Sequence, residues 1–188
     1  MVQYEKLTGW FLNKFKFSKR TGRTYKCYID QIEQVQKFEY RIFADYYQFY
    51  LQDELSQGDL SENWTEETVE RMLALGSGVV GIGTLRNSIV PVTVELHDLE
   101  PVKEYEQWDQ VAECTIEVPS GNIVIARCSD YFPDAARIEV SPGTYRARIL
   151  YGSLSPRSNS TDGEEFIYVI QLWAGSAIDA NIHKRRAT

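Results

Sequence analysis

The feature that most constrains this chain is a train of short apolar–polar alternations, cut by turn residues, running from Val79 to Trp173. The candidate strands are 79–85, 89–96, 111–118, 122–128, 136–140, 144–151 and 165–173. Alternation is clearest in Val92/Val94/Leu96, Cys114/Ile116/Val118, Tyr145/Ala147/Ile149/Tyr151 and Phe166/Tyr168/Ile170/Leu172. A period of two sends each of these sets to a single face of a sheet. Pro119-Ser120-Gly121 and Ser141-Pro142-Gly143 supply explicit turn chemistry, the second read as a type II turn with Gly143 at positive φ. The βα alternation of a parallel sheet is missing, and no internal repeat is visible. The pattern implies a mainly β protein, an antiparallel β-sandwich or flattened barrel, with one short α-helix.

That helix is expected at about 65–75, with Thr65 as N-cap and Glu66 and Glu67 in its electropositive first turn. Trp64 and Val69 are spaced for a hydrophobic staple; Val69, Met72 and Leu73 make a buried stripe, and Gly76-Ser77-Gly78 ends the helix. Upstream, Phe43, Tyr47, Phe49 and Leu51 fall on one side of a strand-like alternation.

Charge divides the chain. Residues 1–41 carry nine Lys/Arg against four Asp/Glu, a net of +5. Residues 42–175 carry eight against 22, a net of −14, and residues 176–188 three against one, a net of +2, which together return the formal −7. The domain reading follows: a basic, aromatic N-terminal extension over 1–42, a β-sandwich over 43–175 and a basic C-terminal tail over 176–188. The acidic body repels nucleic acid and suits a cationic protein partner. The segment 1–42, with Trp10-Phe11, Phe15-Lys16-Phe17 and a hairpin turn at Arg20-Thr21-Gly22-Arg23, could grip a nucleic-acid strand weakly or pack back on the body. No apolar run reaches the roughly 18 residues of a spanning helix, and Met1–Lys6 lacks the order of a signal peptide. The expected compartment is the cytoplasm, with no membrane association.

Catalytic and metal motifs are weak. Gly76–Gly81 matches G-x-G-x-x-G, but a valine-rich strand follows it where a dinucleotide site needs a helix. His97 and His183 have no ligand partner at helical spacing. Cys27, Cys114 and Cys128 read as reduced thiols, the latter two flanking a turn and so potential neighbours across two strands. Asn63-Trp64-Thr65 and Asn159-Ser160-Thr161 match the glycosylation acceptor by chance. No catalytic residue, cofactor or metal is expected. Carboxylates do cluster: Glu100, Glu104, Glu106 and Asp109 surround Trp108, and Asp130 and Asp134 form a second group. They read either as solvated loops or as an acidic binding face with Trp108 as its anchor.

Two resemblances bear on this. Trp108-Asp109-Gln110-Val111, Val118–Gly121, Asp130–Ile138, Ser141–Arg148 and Gln171-Leu172-Trp173 resemble a widespread class of uncharacterised bacterial β-rich proteins. In its order of parts the chain is also similar, more faintly, to the competence protein J (ComJ) family, inhibitors of a DNA-entry nuclease. The parts are Tyr47-Gln48-Phe49 with Gln52-Asp53, Asn63–Glu70 opening the single helix, then strands with Pro142–Tyr145 near the end. The resemblance implies a binding protein without catalysis, an acidic inhibitor or immunity-type protein for a nuclease or other cationic toxin. An acidic body filling a basic, phosphate-binding cleft fits that role. A small-molecule or carbohydrate-binding module, with Trp64, Trp108 and Trp173 as an aromatic platform, is the alternative. An enzyme built on the clustered carboxylates is the third class.

Overall fold

The computed structural model describes residues 35–57, 59–154 and 166–186. Two sheets face each other. One has six strands in the order β1 (Val35–Phe43), β5 (Ile89–His97), β10 (Ile167–Ala174), β9 (Gly143–Gly152), β6 (Gln110–Val118) and β11 (Asn181–Lys184). The other has five, in the order β3 (Leu73–Gly76), β4 (Val79–Gly83), β2 (Gln48–Asp53), β7 (Asn122–Ala126) and β8 (Ala136–Glu139). The sandwich expected from the alternation is present, and its strands reach beyond 43–175 at both ends. Every pairing is antiparallel except β10 with β5, which run parallel. Period-two patterning is the same in both orientations, so it could not reveal that exception.

The alternating sets face inward. Val92 and Val94, Cys114, Ile116 and Val118, Tyr145, Ala147, Ile149 and Tyr151, and Tyr168, Ile170 and Leu172 meet Phe49, Leu51, Val80, Ile82 and Ile123 of the other sheet. Each fully buried Ile, Leu or Val contributes roughly 1.5–3 kcal/mol. A smaller apolar cluster of Leu60, Ala74 and Val79, with Tyr50 and Trp64, covers the outside of the five-stranded sheet. Trp64 and Leu60 come so near Gly81 that an added Cβ there would lie 2.7 and 2.6 Å from them.

The helix is shorter than expected. α1 spans Glu66–Glu70, capped by Thr65, whose side chain accepts from the Thr68 amide (3.3 Å) while Thr68 Oγ1 accepts from the Thr65 amide (2.7 Å). Met72 then turns the chain with φ 55°, and Leu73–Gly76 becomes β3 instead of the helix's second half. Leu73, read as part of a helical stripe with Val69 and Met72, joins the main core and Ala74 the outer cluster, so the two alternate as in a strand. The staple does not form: Val69 is 58% exposed and Trp64 lies over Gly81. Gly76–Gly81 is accordingly strand, turn and strand, with no helix to meet a pyrophosphate. Phe49 and Leu51 are buried as expected, but Phe43 and Tyr47 are exposed, because residues 45–47 form a one-turn 3₁₀ helix that breaks the alternation.

Cys114 and Cys128 are free and are not cross-strand neighbours, since the chain changes sheets between β6 and β7. Burial pushes the Cys114 thiol up to about 12. The sheet change is pinned by Asp53, buried at the end of β2. Its Oδ1 accepts from the Ser120 amide (3.0 Å) and hydroxyl (2.5 Å), and its Oδ2 from the Leu55 amide (2.8 Å). The turn expected at Arg20–Arg23, Cys27 and Asn159-Ser160-Thr161 lie outside the described residues. Among the described residues no helix is long and apolar enough to cross a membrane.

The turn glycines differ from expectation. Gly143 has φ 158° and opens β9, far from the value near +80° of a type II turn. Gly121 is the left-handed one, at φ 76°, and a Cβ there would sit 3.0 Å from the Val140 carbonyl oxygen. Gly121→Val is expected to cost about 1–3 kcal/mol through backbone strain. Urea titration of the variant beside the parent measures it, and equal midpoints would refute the strain.

Candidate functional site

The outer face of the six-stranded sheet should be polar by alternation, and it is. The register lines up one residue per strand: Lys37 opposite Glu95, Glu95 beside Gln171, Gln171 opposite Arg148, Arg148 opposite Glu113, and Glu113 opposite Asn181. Side chains connect along the row. Lys37 Nζ lies 2.7 Å from Glu95 Oε1, Gln171 Nε2 donates to Glu95 Oε2 (3.1 Å), and Arg148 Nε donates to Glu113 Oε2 (3.1 Å). Burial raises the Glu95 carboxyl, but hydrogen bonds from Lys37, Gln171 and His97 outweigh it and hold the group below its usual range.

The middle of this row is not solvated. Arg148 and Glu113 are both fully buried. Their cover is the 98–109 connection between β5 and β6, together with Trp173. Arg148 Nη1 donates to the Pro101 carbonyl (3.0 Å) and Nη2 to Glu100 Oε1 (3.0 Å). Its guanidinium lies 4.8 Å from the Trp173 ring centre and 5.5 Å from that of Tyr105. Glu113 also takes Arg146 and, at 3.0 Å, His183 Nε2 from β11. Lys184 Nζ reaches back to the carbonyls of Tyr105 (3.2 Å) and Glu106 (3.0 Å), tying β11 to the same connection.

The anticipated binding residues take different parts in this arrangement. Glu100 is spent on Arg148 and Lys103. Asp109 Oδ2 accepts from the Leu154 amide at 2.6 Å and fixes the chain after β9. Glu104 and Glu106 are exposed, and Trp108 is half-buried against Gly152. Between this connection and the sheet lies a cleft of about 180 Å³, bounded by Glu95, Glu104, Tyr105, Trp108, Leu150, Val169 and Gln171, with Val102 and Gln107 at its rim. Asp130 pairs with Arg127, and Asp134 is exposed in the one-turn 3₁₀ helix Phe132–Asp134.

The two carboxylate groups do not form one face. Ser129 bonds Asp45, and the Ala44 amide bonds the Ser88 carbonyl, which places Asp130 at the Ile89 end of β5. Glu100–Asp109 leave from the His97 end, about 26 Å away at ~3.3 Å per residue. Nor do the three tryptophans form one platform: Trp64 covers the other sheet, Trp173 is buried under arginines, and only Trp108 borders the cleft. Among the described residues no three His, Cys, Asp or Glu side chains converge as a metal site requires.

Glu113, Arg146, Arg148 and Gln171 were not singled out in the sequence reading, although they alternate with the inward sets and so fall on the outer face. What alternation could not supply is the loop that buries them. His183, read as a histidine with no ligand partner, proves to be a latch on the edge strand.

No family model and no curated protein matches the sequence. Among solved structures the fold is similar to "Crystal structure of ComJ, inhibitor of the DNA degrading activity of NucA, from Bacillus subtilis", with TM-score 0.59 and 17% identity over 76% of this chain and 99% of that one. It is also similar to "Crocagin biosynthetic gene J", with TM-score 0.51 and 18% identity over 78% of this chain and 100% of that one. At such identities the likeness is one of fold, and it agrees with the order of parts noted in the sequence.

Two predictions follow from the buried network. Glu113→Ala strands the Arg148 charge and should cost about 3–5 kcal/mol, whereas Glu113→Leu with Arg148→Met should be less destabilised than either single change. Urea titration of the three variants tests this; a double variant at the sum of the singles would contradict it. The second concerns His183, whose ring burial, with Arg148, Lys103 and Arg146, lowers from 6.5. The unfolded chain therefore binds this proton more readily than the folded one. The stabilisation is complete above pH 6.5 and is lost as pH falls from there through the folded value. His183→Gln should flatten the stability curve below pH 6.5; an unchanged slope would remove His183 as its source.

Proposed function

We propose that this protein binds without catalysis to the basic surface of another protein, and that a DNA-degrading nuclease is the partner class to try first. The observation that carries the reading is how the body's positive charges are used. Residues 42–175 hold few cations, and most of those described are paired with a carboxylate, although Arg86 is exposed. Arg146 and Arg148 go to Glu113, Arg137 to Glu54, Arg127 to Asp130, Lys103 to Glu100, and Arg86 lies 4.5 Å over the Phe166 ring. Arg71 gives its Nε to the Leu73 carbonyl. Carboxylates at Asp59, Glu62, Glu66, Glu67, Glu104, Glu106 and Asp134 remain exposed. The surface of residues 42–175 thus carries mainly carboxylates, in line with their net −14, which suits a cleft built to hold phosphates. The fold shared with ComJ, an inhibitor of the DNA degrading activity of NucA, supports the same reading.

Within the expected binding set, Glu104, Glu106 and Trp108 are the residues to assign to the contact, because Glu100 and Asp109 hold the fold. The test uses the source organism's own basic, DNA-degrading nucleases, purified and assayed singly on duplex DNA. Stoichiometric protein should suppress cleavage by at least one of them at about 50 mM salt and do so less at 300 mM, where screening shortens the reach of charge. Glu104→Gln with Glu106→Gln should slow association about tenfold at low salt and much less at high salt. Full cleavage in the presence of a tenfold excess, for every such nuclease, would overturn the proposal.

A further inference from the structure

We infer that the Trp108 cleft is a receptor for a single guanidinium group, an arginine side chain presented by the partner. The inference deepens the proposed function and rests on its cationic partner. It begins with how this face treats its own arginines. The Trp173 ring carries both Arg146, at 5.3 Å, and Arg148, at 4.8 Å, and Tyr105 carries Arg148 at 5.5 Å, with Glu113 and Glu100 closing the charge. Each of those guanidinium groups is held between an aromatic plane and a carboxylate. The cleft repeats that pairing of groups one step along the same face, with Trp108 as the ring and Glu104 as the carboxylate. No arginine of the described chain lies over Trp108.

The remaining walls fit the same occupant. Leu150 and Val169 offer an apolar floor for an aliphatic stem. Glu95, already engaged by Lys37, Gln171 and His97, adds negative field rather than a new bond. Among the described residues no Lys or Arg lines the cleft. The Tyr105 hydroxyl, which is buried, has no hydrogen-bond partner among the described residues. The cleft, of about 180 Å³, admits one long side chain. Arginine is favoured over lysine because a planar, weakly hydrated cation stacks on indole while bonding a carboxylate in its own plane.

The experiment titrates the full-length protein with N-acetyl-arginine amide and follows the Trp108 indole N–H by NMR, assigned with Trp108→Phe. The uncharged isostere N-acetyl-citrulline amide, N-acetyl-lysine amide and a neutral monosaccharide serve as comparisons. The arginine amide should shift the Trp108 signal saturably, with a dissociation constant on the order of 1 mM. Citrulline amide should bind at least tenfold more weakly, lysine amide less tightly than arginine amide, and the monosaccharide should leave the signal in place. Glu104→Gln should weaken arginine binding at least fivefold while the spectrum and thermal midpoint stay those of the parent. No saturable Trp108 shift up to 50 mM, equal binding of citrulline amide, or a saturable shift with the sugar would overturn the inference. Nuclease inhibition in the absence of any arginine response would sink the cleft alone. An arginine response in a protein that restrains no nuclease would sink the partner assignment and leave the cleft standing.

Discussion

One buried ion pair organises the outer side of this protein. Arg148 and Glu113 face each other across β9 and β6 on the side of the sheet that alternation reserves for water, and both are fully enclosed. An enclosed guanidinium must find acceptors for its donors, and Arg148 finds them on Glu113, Pro101, Glu100 and Gln171. Those partners come from β6, from the 98–109 connection and from β10. The requirement to neutralise one charge therefore draws a long loop down over the sheet, and the rim of that loop creates the Trp108 cleft. Such pairs rarely add stability over an apolar core, and their better-attested use is to specify an arrangement. Here they specify where the loop lies.

Much of the fold was legible from local pattern. The inward sets on β5, β6, β9 and β10 were read directly, since period-two burial depends only on neighbours in the chain. The errors fall where local pattern is ambiguous. Leu73 and Ala74 are apolar and adjacent, compatible with a helix that continues or a strand that begins, and the turn at Met72 decides for the strand. Gly143 sits in a turn-rich tripeptide, yet the left-handed backbone went to Gly121, where the chain crosses between sheets.

The candidate site was legible only in part. Trp108, Glu104 and Glu106 stand out in sequence as an aromatic among carboxylates, and they do border a cleft or lie beside it. Glu100 and Asp109 looked the same, but one is neutralised by an arginine 48 residues later and the other bonds an amide 45 residues later. Nothing local separates a solvent carboxylate from one committed to a distant partner. Asp130 and Asp134 were grouped with them by charge, and the strand between shows how little charge alone says about distance.

The parallel pairing of β10 with β5 also bears on how the molecule is made. β5 is complete once His97 has been synthesised, but β10, the strand that separates it from β9, ends at Ala174. At ~5–20 residues per second those 77 residues take about 4–15 s to emerge. Through that interval the inner edge of β5 has no proper neighbour, while β6 and β9, both made within it, can pair as soon as β9 is complete. The antiparallel β6–β9 unit and the whole five-stranded sheet can assemble before the gap is filled. The nascent chain must therefore keep an apolar strand open for seconds until its penultimate strand inserts at the centre, leaving the growing protein exposed to mispairing on the ribosome far more than the finished one.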